Sequence, residues 1–260
     1  MAHLLRLDKV GLFINLKQEL SPEQTAAYSN LIQRRLNHEP AAYITGHKEF
    51  FGFDFQISPY TLIPRPETEL LVEKTIELAD TAFSKNCLIA DIGTGCGAIA
   101  VALALNLPQA RIYATDISHA ALQVAGSNCQ RHGVSDRVTL LNGDLLEPLP
   151  ERVHIIVANL PYVSEPYMSA LPSEISMFEP KIALAGGRDG LRQIERLLPR
   201  AKSKLLIDGA VILEVGYEQG QTVSGLAKKY IPNARVNVIT DLSGLDRAVM
   251  IYPAWRSKKN

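Results

Sequence analysis

The sequence predicts an α/β fold: a parallel sheet with helices crossing between its strands, preceded by a small helical segment. Three observations carry this reading. From Cys87 onward, short apolar runs alternate with helical or loop stretches, the pattern of βαβ units. The first of these runs ends in a glycine-rich turn that opens an alanine-rich helix. Up to about residue 48, apolar residues recur at helical spacing instead.

Each element has its own signal. Ser21, Pro22 and Gln24 read as an N-cap, a first-position proline and a capping-box partner. Ala26, Leu31, Ile32 and Leu36 follow as an apolar stripe, and the helix should stop before Pro40. Leu4, Leu5, Ile14, Leu16 and Leu31 are expected core positions of a part too small to stand alone. Phe51, Phe53, Phe55 and Ile57 then alternate with Gly52, Asp54 and Gln56, a strand with one apolar face. Pro64 and Pro66 fix an extended or turn conformation, with a helix expected over 67–78. Strands are expected at 88–92, 111–115, 138–141, 154–158 and 205–214. Two more, at 235–240 and 248–252, flank Ser243-Gly244, and the tail 256–260 reads as frayed.

Composition excludes several classes. The 260 residues carry 27 basic and 27 acidic side chains, so net charge is zero and no electrostatic footprint for nucleic acid stands out. An apolar share of 47% is that of a globular chain. Three cysteines, Cys87, Cys96 and Cys129, form no CxxC pair and leave one over, which fits a reducing compartment. No apolar stretch reaches the ~20 residues of a membrane span, and the N-terminus lacks a secretion pattern. The expectation is a soluble, cytoplasmic protein.

The chemistry begins at Asp91-Ile92-Gly93-Thr94-Gly95-Cys96-Gly97-Ala98. Glycines at alternate positions allow a tight turn and close approach of a ligand. Gly93, Gly95 and Ala98 also satisfy the looser dinucleotide spacing. The acids tilt the reading from a dinucleotide toward S-adenosylmethionine. Asp91 at the strand end is unfavourable beside a pyrophosphate but favourable near a sulfonium and an amino group. Asp116 ends the next strand, where a ribose-hydroxyl acceptor belongs, and Asp144 ends the third, where it can accept from an adenine amino group. Acids on three successive strand ends point to S-adenosylmethionine.

The fourth strand runs into Asn159-Leu160-Pro161-Tyr162, which resembles the tetrapeptide of methyltransferases acting on planar nitrogens. An amide or aryl amine nitrogen is a poor nucleophile because its lone pair is delocalised. Asn159 Oδ1 and the Leu160 carbonyl can each accept one N–H hydrogen, aiming the lone pair at the methyl group. Pro161 stiffens the loop and Tyr162 can pack on the planar group. His154, inside the preceding strand, reads as structural rather than as a base. Cys96 reads as a space-filler, and Gly186 to Gly190 as either a tight turn or part of the substrate mouth.

Further matching pieces are Glu39-Pro40, Tyr43-Ile44-Thr45-Gly46, Glu49-Phe50-Phe51-Gly52, Leu62-Ile63-Pro64-Arg65-Pro66-Glu67-Thr68-Glu69, Phe178-Glu179-Pro180, Ala183–Leu191 with its Gly186-Gly187-Arg188-Asp189-Gly190 core, and Glu214-Val215-Gly216. With these the chain resembles, over nearly its whole length, the glutamine-N5 methyltransferase family that modifies class 1 peptide chain release factors. The resemblance implies a helical substrate-recognition domain at 1–48, a β-hairpin linker at 49–66 and a seven-stranded, Rossmann-like class I methyltransferase domain at 67–260. It implies S-adenosylmethionine as donor, no metal, and the glutamine of a Gly-Gly-Gln loop as acceptor. Asp91, Gly93, Thr94, Gly95, Cys96, Gly97, Asp116, Asp144, Leu145 and Asn159 would hold the cofactor. Asn159, Leu160, Pro161, Tyr162, Arg65 and Glu67 would contact the substrate, with Asn159, Pro161 and Tyr162 catalytic. A monomer with a protein partner is expected, without direct nucleic-acid or membrane binding. The family usually has proline where Leu160 stands; the carbonyl survives the change. Asn-Leu-Pro-Tyr also resembles ribosomal-RNA adenine dimethyltransferases, the alternative reading, against which the neutral charge and the 64–69 run stand.

Overall fold

The computed structural model describes residues 1–83 and 86–254; the tail expected to fray, 256–260, lies outside the described residues. The chain opens with α1 (Ala2–Leu5), α2 (Lys9–Ile14), α3 (Pro22–Leu36) and α4 (Ala41–Thr45). α3 begins with a reciprocal capping box: the Gln24 amide donates to Ser21 Oγ at 3.2 Å and the Ser21 amide to Gln24 Oε1 at 2.9 Å. The expected core here is only partly buried. Leu4, Leu5 and Leu31 are half-buried, Ala26 and Ile32 are exposed, and Ile14, Leu16 and Leu36 are 78%, 67% and 64% exposed. Helices of four and six residues present too little surface to cover them.

The alternating phenylalanines fold as a hairpin, not one strand. β1 (His47–Phe50) pairs antiparallel with β2 (Phe53–Gln56), and β1 begins two residues before the expected boundary at 49. Phe51 and Gly52 form the two-residue turn with φ of 53° and 76°, the doubly positive geometry that matches strand twist. Phe50 and Phe55 are buried edge to face, 6.1 Å between centroids. Two side chains dock the hairpin: Glu69 accepts from the Phe51 amide at 2.8 Å, and buried Asn128 bonds both backbone groups of Gln56.

A 3₁₀ turn (Pro66–Thr68) leads into α5 (Glu69–Ala82), so the α-helix starts two residues after the expected position and runs four longer. Then follow β3 (Leu88–Ile92), α6 (Ala98–Asn106), β4 (Arg111–Asp116), α7 (His119–Arg131), β5 (Val138–Asn142) and β6 (Val153–Ala158). An excursion holds β7 (Val163–Ser164), α8 (Glu165–Met168), α9 (Ser173–Ser176), a 3₁₀ turn (Lys181–Ala183) and β8 (Ala185–Gly187). The chain closes with α10 (Arg192–Lys204), β9 (Leu205–Glu214), α11 (Gly220–Tyr230), β10 (Arg235–Thr240) and β11 (Asp246–Tyr252).

Among the described residues the main sheet has seven strands in the order β10-β11-β9-β6-β3-β4-β5. β5, β4, β3, β6 and β9 are parallel, and β11 runs antiparallel between β9 and β10. Period-2 alternation sends Ile89, Ile155, Val157 and Ile212 to the face covered by α5 and α6. Ala90, Ile92, Ile156, Ala158 and Leu213 go to the face covered by α10 and α11. Both faces are covered, so β3 is buried at every position, as parallel strands require. β3 is flanked by β4 on one side and β6 on the other, and the crevice at their carboxyl ends is where open α/β sheets bind ligands. Among the described residues no helix is long and apolar enough to cross a membrane.

Candidate active site

β3 delivers Asp91 to the carboxyl edge, and the glycine turn follows. Gly93, Gly95 and Gly97 have φ of 75°, 57° and 82°, which L side chains rarely adopt. The turn is closed by two amides, those of Gly93 and Thr94, each donating to the Thr115 carbonyl at 2.9 Å. Thr94 donates its hydroxyl to Asp91 Oδ2 at 2.6 Å, while Asp91 Oδ1 is buried without a partner. Burial pushes the Asp91 carboxyl up to about 7.

At the end of β4, Asp116 Oδ2 accepts from the Gly95 amide and Oδ1 from the Ser118 amide, each at 2.8 Å. Burial raises its pKa, opposed by these bonds. After β5, Asp144 is paired with the Arg196 guanidinium from α10, which also donates to Gln193 Oε1 at 2.8 Å. Leu145 has φ of 50°, and its carbonyl accepts from the Thr115 hydroxyl at 3.0 Å.

β6 ends at Ala158 and puts Asn159 beside the 3₁₀ turn, where Asn159 Nδ2 donates to Thr68 Oγ1 at 3.1 Å. Leu160 is buried over the glycine turn; a Cβ on Gly93 would come within 3.3 Å of Leu160 Cδ2. The Tyr162 hydroxyl donates to Glu214 Oε1 at 3.3 Å. Glu214, at the end of β9, is buried, its Oε2 has no partner, and burial raises its pKa to about 7. The glycine loop at 186–190 packs behind the tetrapeptide. A Cβ on Gly190 would lie 2.2 Å from the Tyr162 carbonyl oxygen, and one on Gly186 would lie 2.7 Å from that of Pro161. That loop is therefore a close-packed support.

One cavity brings together Gly93, Thr94, Gly95, Cys96, Asp116, Asp144, Leu145, Asn159, Leu160 and Pro161, with Thr68, Tyr60 and Ile182 on its remaining walls. Other expected residues lie outside its wall. Asp91 is beneath the glycine turn and Gly97 caps α6. Tyr162 faces Glu214. Arg65 is ion-paired with buried Glu179, which also accepts from the Ile63 amide at 3.2 Å, and Glu67 is exposed. His154 accepts from the Leu88 amide at 2.9 Å at the opposite end of the sheet, and desolvation lowers its pKa. Cys96 is buried, its thiol pushed up to about 12 by desolvation. Sequence reasoning did not single out Thr68, Glu179, Arg196 or Glu214. The first, second and fourth lay within runs quoted for the family resemblance, but nothing local marked them as members of one site.

Sheet order and a ligand cavity at the β3–β4–β6 carboxyl ends define a class I methyltransferase. A solved methyltransferase from Pyrococcus furiosus shares the fold, with a TM-score of 0.59 at 20% identity, covering 86% of this chain and 98% of that one. Residues 1–46 match the family model described as PrmC N-terminal domain, and residues 67–171 the one described as Methyltransferase small domain. The release factor glutamine methyltransferase of Moorella thermoacetica is 43% identical over 247 residues, 95% of this chain and 86% of its own length. That of Geobacter sulfurreducens is 40% identical over 248 residues, 94% of this chain and 84% of its own. The chain belongs to the release factor glutamine methyltransferase family.

Proposed function

We propose that this protein transfers a methyl group from S-adenosylmethionine to the side-chain amide nitrogen of the glutamine in the Gly-Gly-Gln motif of class 1 release factors. The observation that carries the reading is the placement of the Asn159 carboxamide on the wall of the cavity in a chain 43% identical to a release factor glutamine methyltransferase. The alternative acceptor, a ribosomal-RNA adenine, has only Leu160 in its favour and meets a net charge of zero.

The cavity residues fit the cofactor. Beneath the cavity wall, Asp91 Oδ1 is partnerless at the strand end and suits a cationic group, and Gly95 leaves room for close approach. Asp116 keeps lone pairs for ribose hydroxyls beyond the two amides it already binds. Leu145 and the Asp144–Arg196 pair border the adenine end. When bound, S-adenosylmethionine supplies an electrophilic methyl carbon on a sulfonium.

The chain's contribution to the reaction is orientation. Asn159 Oδ1 and the Leu160 carbonyl accept the two N–H hydrogens of the incoming carboxamide. The nitrogen is held with its lone pair directed into the cavity. Positioning of this kind supplies up to roughly 7–11 kcal/mol. No strong base is needed beforehand, because the nitrogen becomes acidic on methylation and sheds its proton afterwards. Arg65, locked to Glu179, shapes the mouth of the site rather than offering a free charge, while exposed Glu67 is available to the protein substrate. A cytoplasmic monomer working on a protein partner, without direct nucleic-acid contact, completes the reading. The test is intact-mass analysis with peptide mapping of a release factor incubated with enzyme and S-adenosylmethionine. One methyl on the Gly-Gly-Gln glutamine is expected; methyl incorporation into ribosomal RNA and none into release factor would overturn it.

A further inference from the structure

A carboxamide such as Asn159 has a donor end and an acceptor end of nearly the same shape, so something must decide which faces the substrate. Asn159 Nδ2 donates to Thr68 Oγ1 at 3.1 Å, which uses a lone pair of that hydroxyl and leaves its single proton to give. Thr68 and Tyr162 are the hydrogen-bonding side chains that favour the ionised form of Glu214 against its burial. Glu214 Oε2 is buried without a hydrogen-bond partner, and Oε1 already takes the Tyr162 proton at 3.3 Å. The Thr68 proton is therefore the donor left for that buried acceptor.

We propose that Glu214 is a positioning residue that fixes the polarity of the Asn159 carboxamide through Thr68. In its ionised form, which dominates above about pH 7, Glu214 can only accept, so it draws the Thr68 proton toward itself. Thr68 Oγ1 can then serve Asn159 only as an acceptor. Nδ2 is held against Thr68, and Oδ1 is turned to the cavity, where an acceptor is needed. With the carboxylate removed, the hydroxyl rotates freely and can donate to a flipped Asn159. That flip presents N–H to the N–H of the incoming amide, a donor facing a donor. The same carboxylate holds the Tyr162 hydroxyl, so both ends of the tetrapeptide answer to one buried acid on β9. This inference rests on the methyl-transfer reading above and adds residues that act without touching the reacting atoms.

The test compares Glu214→Gln, Thr68→Val, their double variant, Thr68→Ser and Asn159→Ala, with methylation kinetics on a release factor and calorimetric S-adenosylhomocysteine affinity measured for each. Glu214→Gln and Thr68→Val are each expected to lower kcat by roughly tenfold or more, the scale of one lost buried hydrogen-bond preference, with cofactor affinity held within about threefold. The double variant should lose little more than either single one, because both break the same path. Thr68→Ser, which keeps the hydroxyl, should recover most of the Thr68→Val loss. Cofactor binding reports folding, so should Glu214→Gln fail to bind, Thr68→Val against Thr68→Ser carries the comparison. Full kcat in Glu214→Gln and Thr68→Val alongside an inactive Asn159→Ala would overturn the relay and leave the methyl-transfer reading standing. A wild-type protein that leaves the glutamine unmethylated would overturn both.

Discussion

Asp91 shows how a residue can be costly to the fold and useful to the ligand. Its carboxyl is fully buried, satisfied on one oxygen by Thr94 and orphaned on the other. Its folded pKa of about 7 stands above the model-peptide value of 3.8. An acid raised in this way binds its proton more tightly folded than unfolded. Its burial is harmless below about pH 4 and increasingly destabilising as pH rises toward 7, on the order of 4 kcal/mol at about 1.4 kcal/mol per unit. On the proposed reading a cationic ligand reverses the balance by supplying the missing partner. Asp91→Asn is therefore expected to melt no lower than the parent at pH 8 without ligand, and to bind S-adenosylhomocysteine at least about tenfold more weakly, the scale of one charge-assisted hydrogen bond. Calorimetry and thermal melting check both halves; parental affinity in the variant would contradict this account. Asp91 was legible because strand end, glycine turn and acid are contiguous in sequence. The Arg196 partner of Asp144 was not, because it comes from α10, 52 residues further on.

At the scale of elements, what the sequence revealed and what it hid follow a physical rule. The strands at 88–92 and 205–214 match β3 and β9 end to end, because β3 and the 209–214 half of β9 are buried on both faces and leave a clear signature. The α3 start was readable because Ser21 and Gln24 carry a local capping signal. The hairpin was hidden to periodicity because its turn places Phe51 at φ 53°, a conformation its residue type does not advertise. α4 follows Pro40 over only five residues, too short for a periodic pattern to register. Sequence leaves the loop at 186–190 open between turn and mouth, and packing decides it. Gly190→Ala would put a methyl 2.2 Å from the Tyr162 carbonyl oxygen at a φ of 83°. The expected cost is more than about 2 kcal/mol by urea unfolding, from strain and clash together. A change under about 0.5 kcal/mol would show that the support is softer than argued.

Across the whole molecule, stability and recognition are unevenly spread. The methyltransferase sheet is covered on both faces, whereas the first 36 residues leave Val10, Phe13, Ile14, Leu16 and Leu36 more than 60% exposed. Side chains tie the helical part to the rest, among them Arg35 to Glu174 at 2.8 Å and Tyr43 to the Thr61 carbonyl at 2.6 Å. The proposed catalytic arrangement, by contrast, draws on groups from distant sequence: Thr68 before α5, Asn159 after β6 and Glu214 on β9. The central claim is that Asn159 holds the acceptor amide and does not hold the enzyme together. Single-turnover methylation of a release factor by Asn159→Ala, with cofactor affinity measured on the same preparation, tests it directly. The rate should fall by roughly a hundredfold or more while affinity stays within a few-fold. A variant that methylates the glutamine at the parental rate would contradict it.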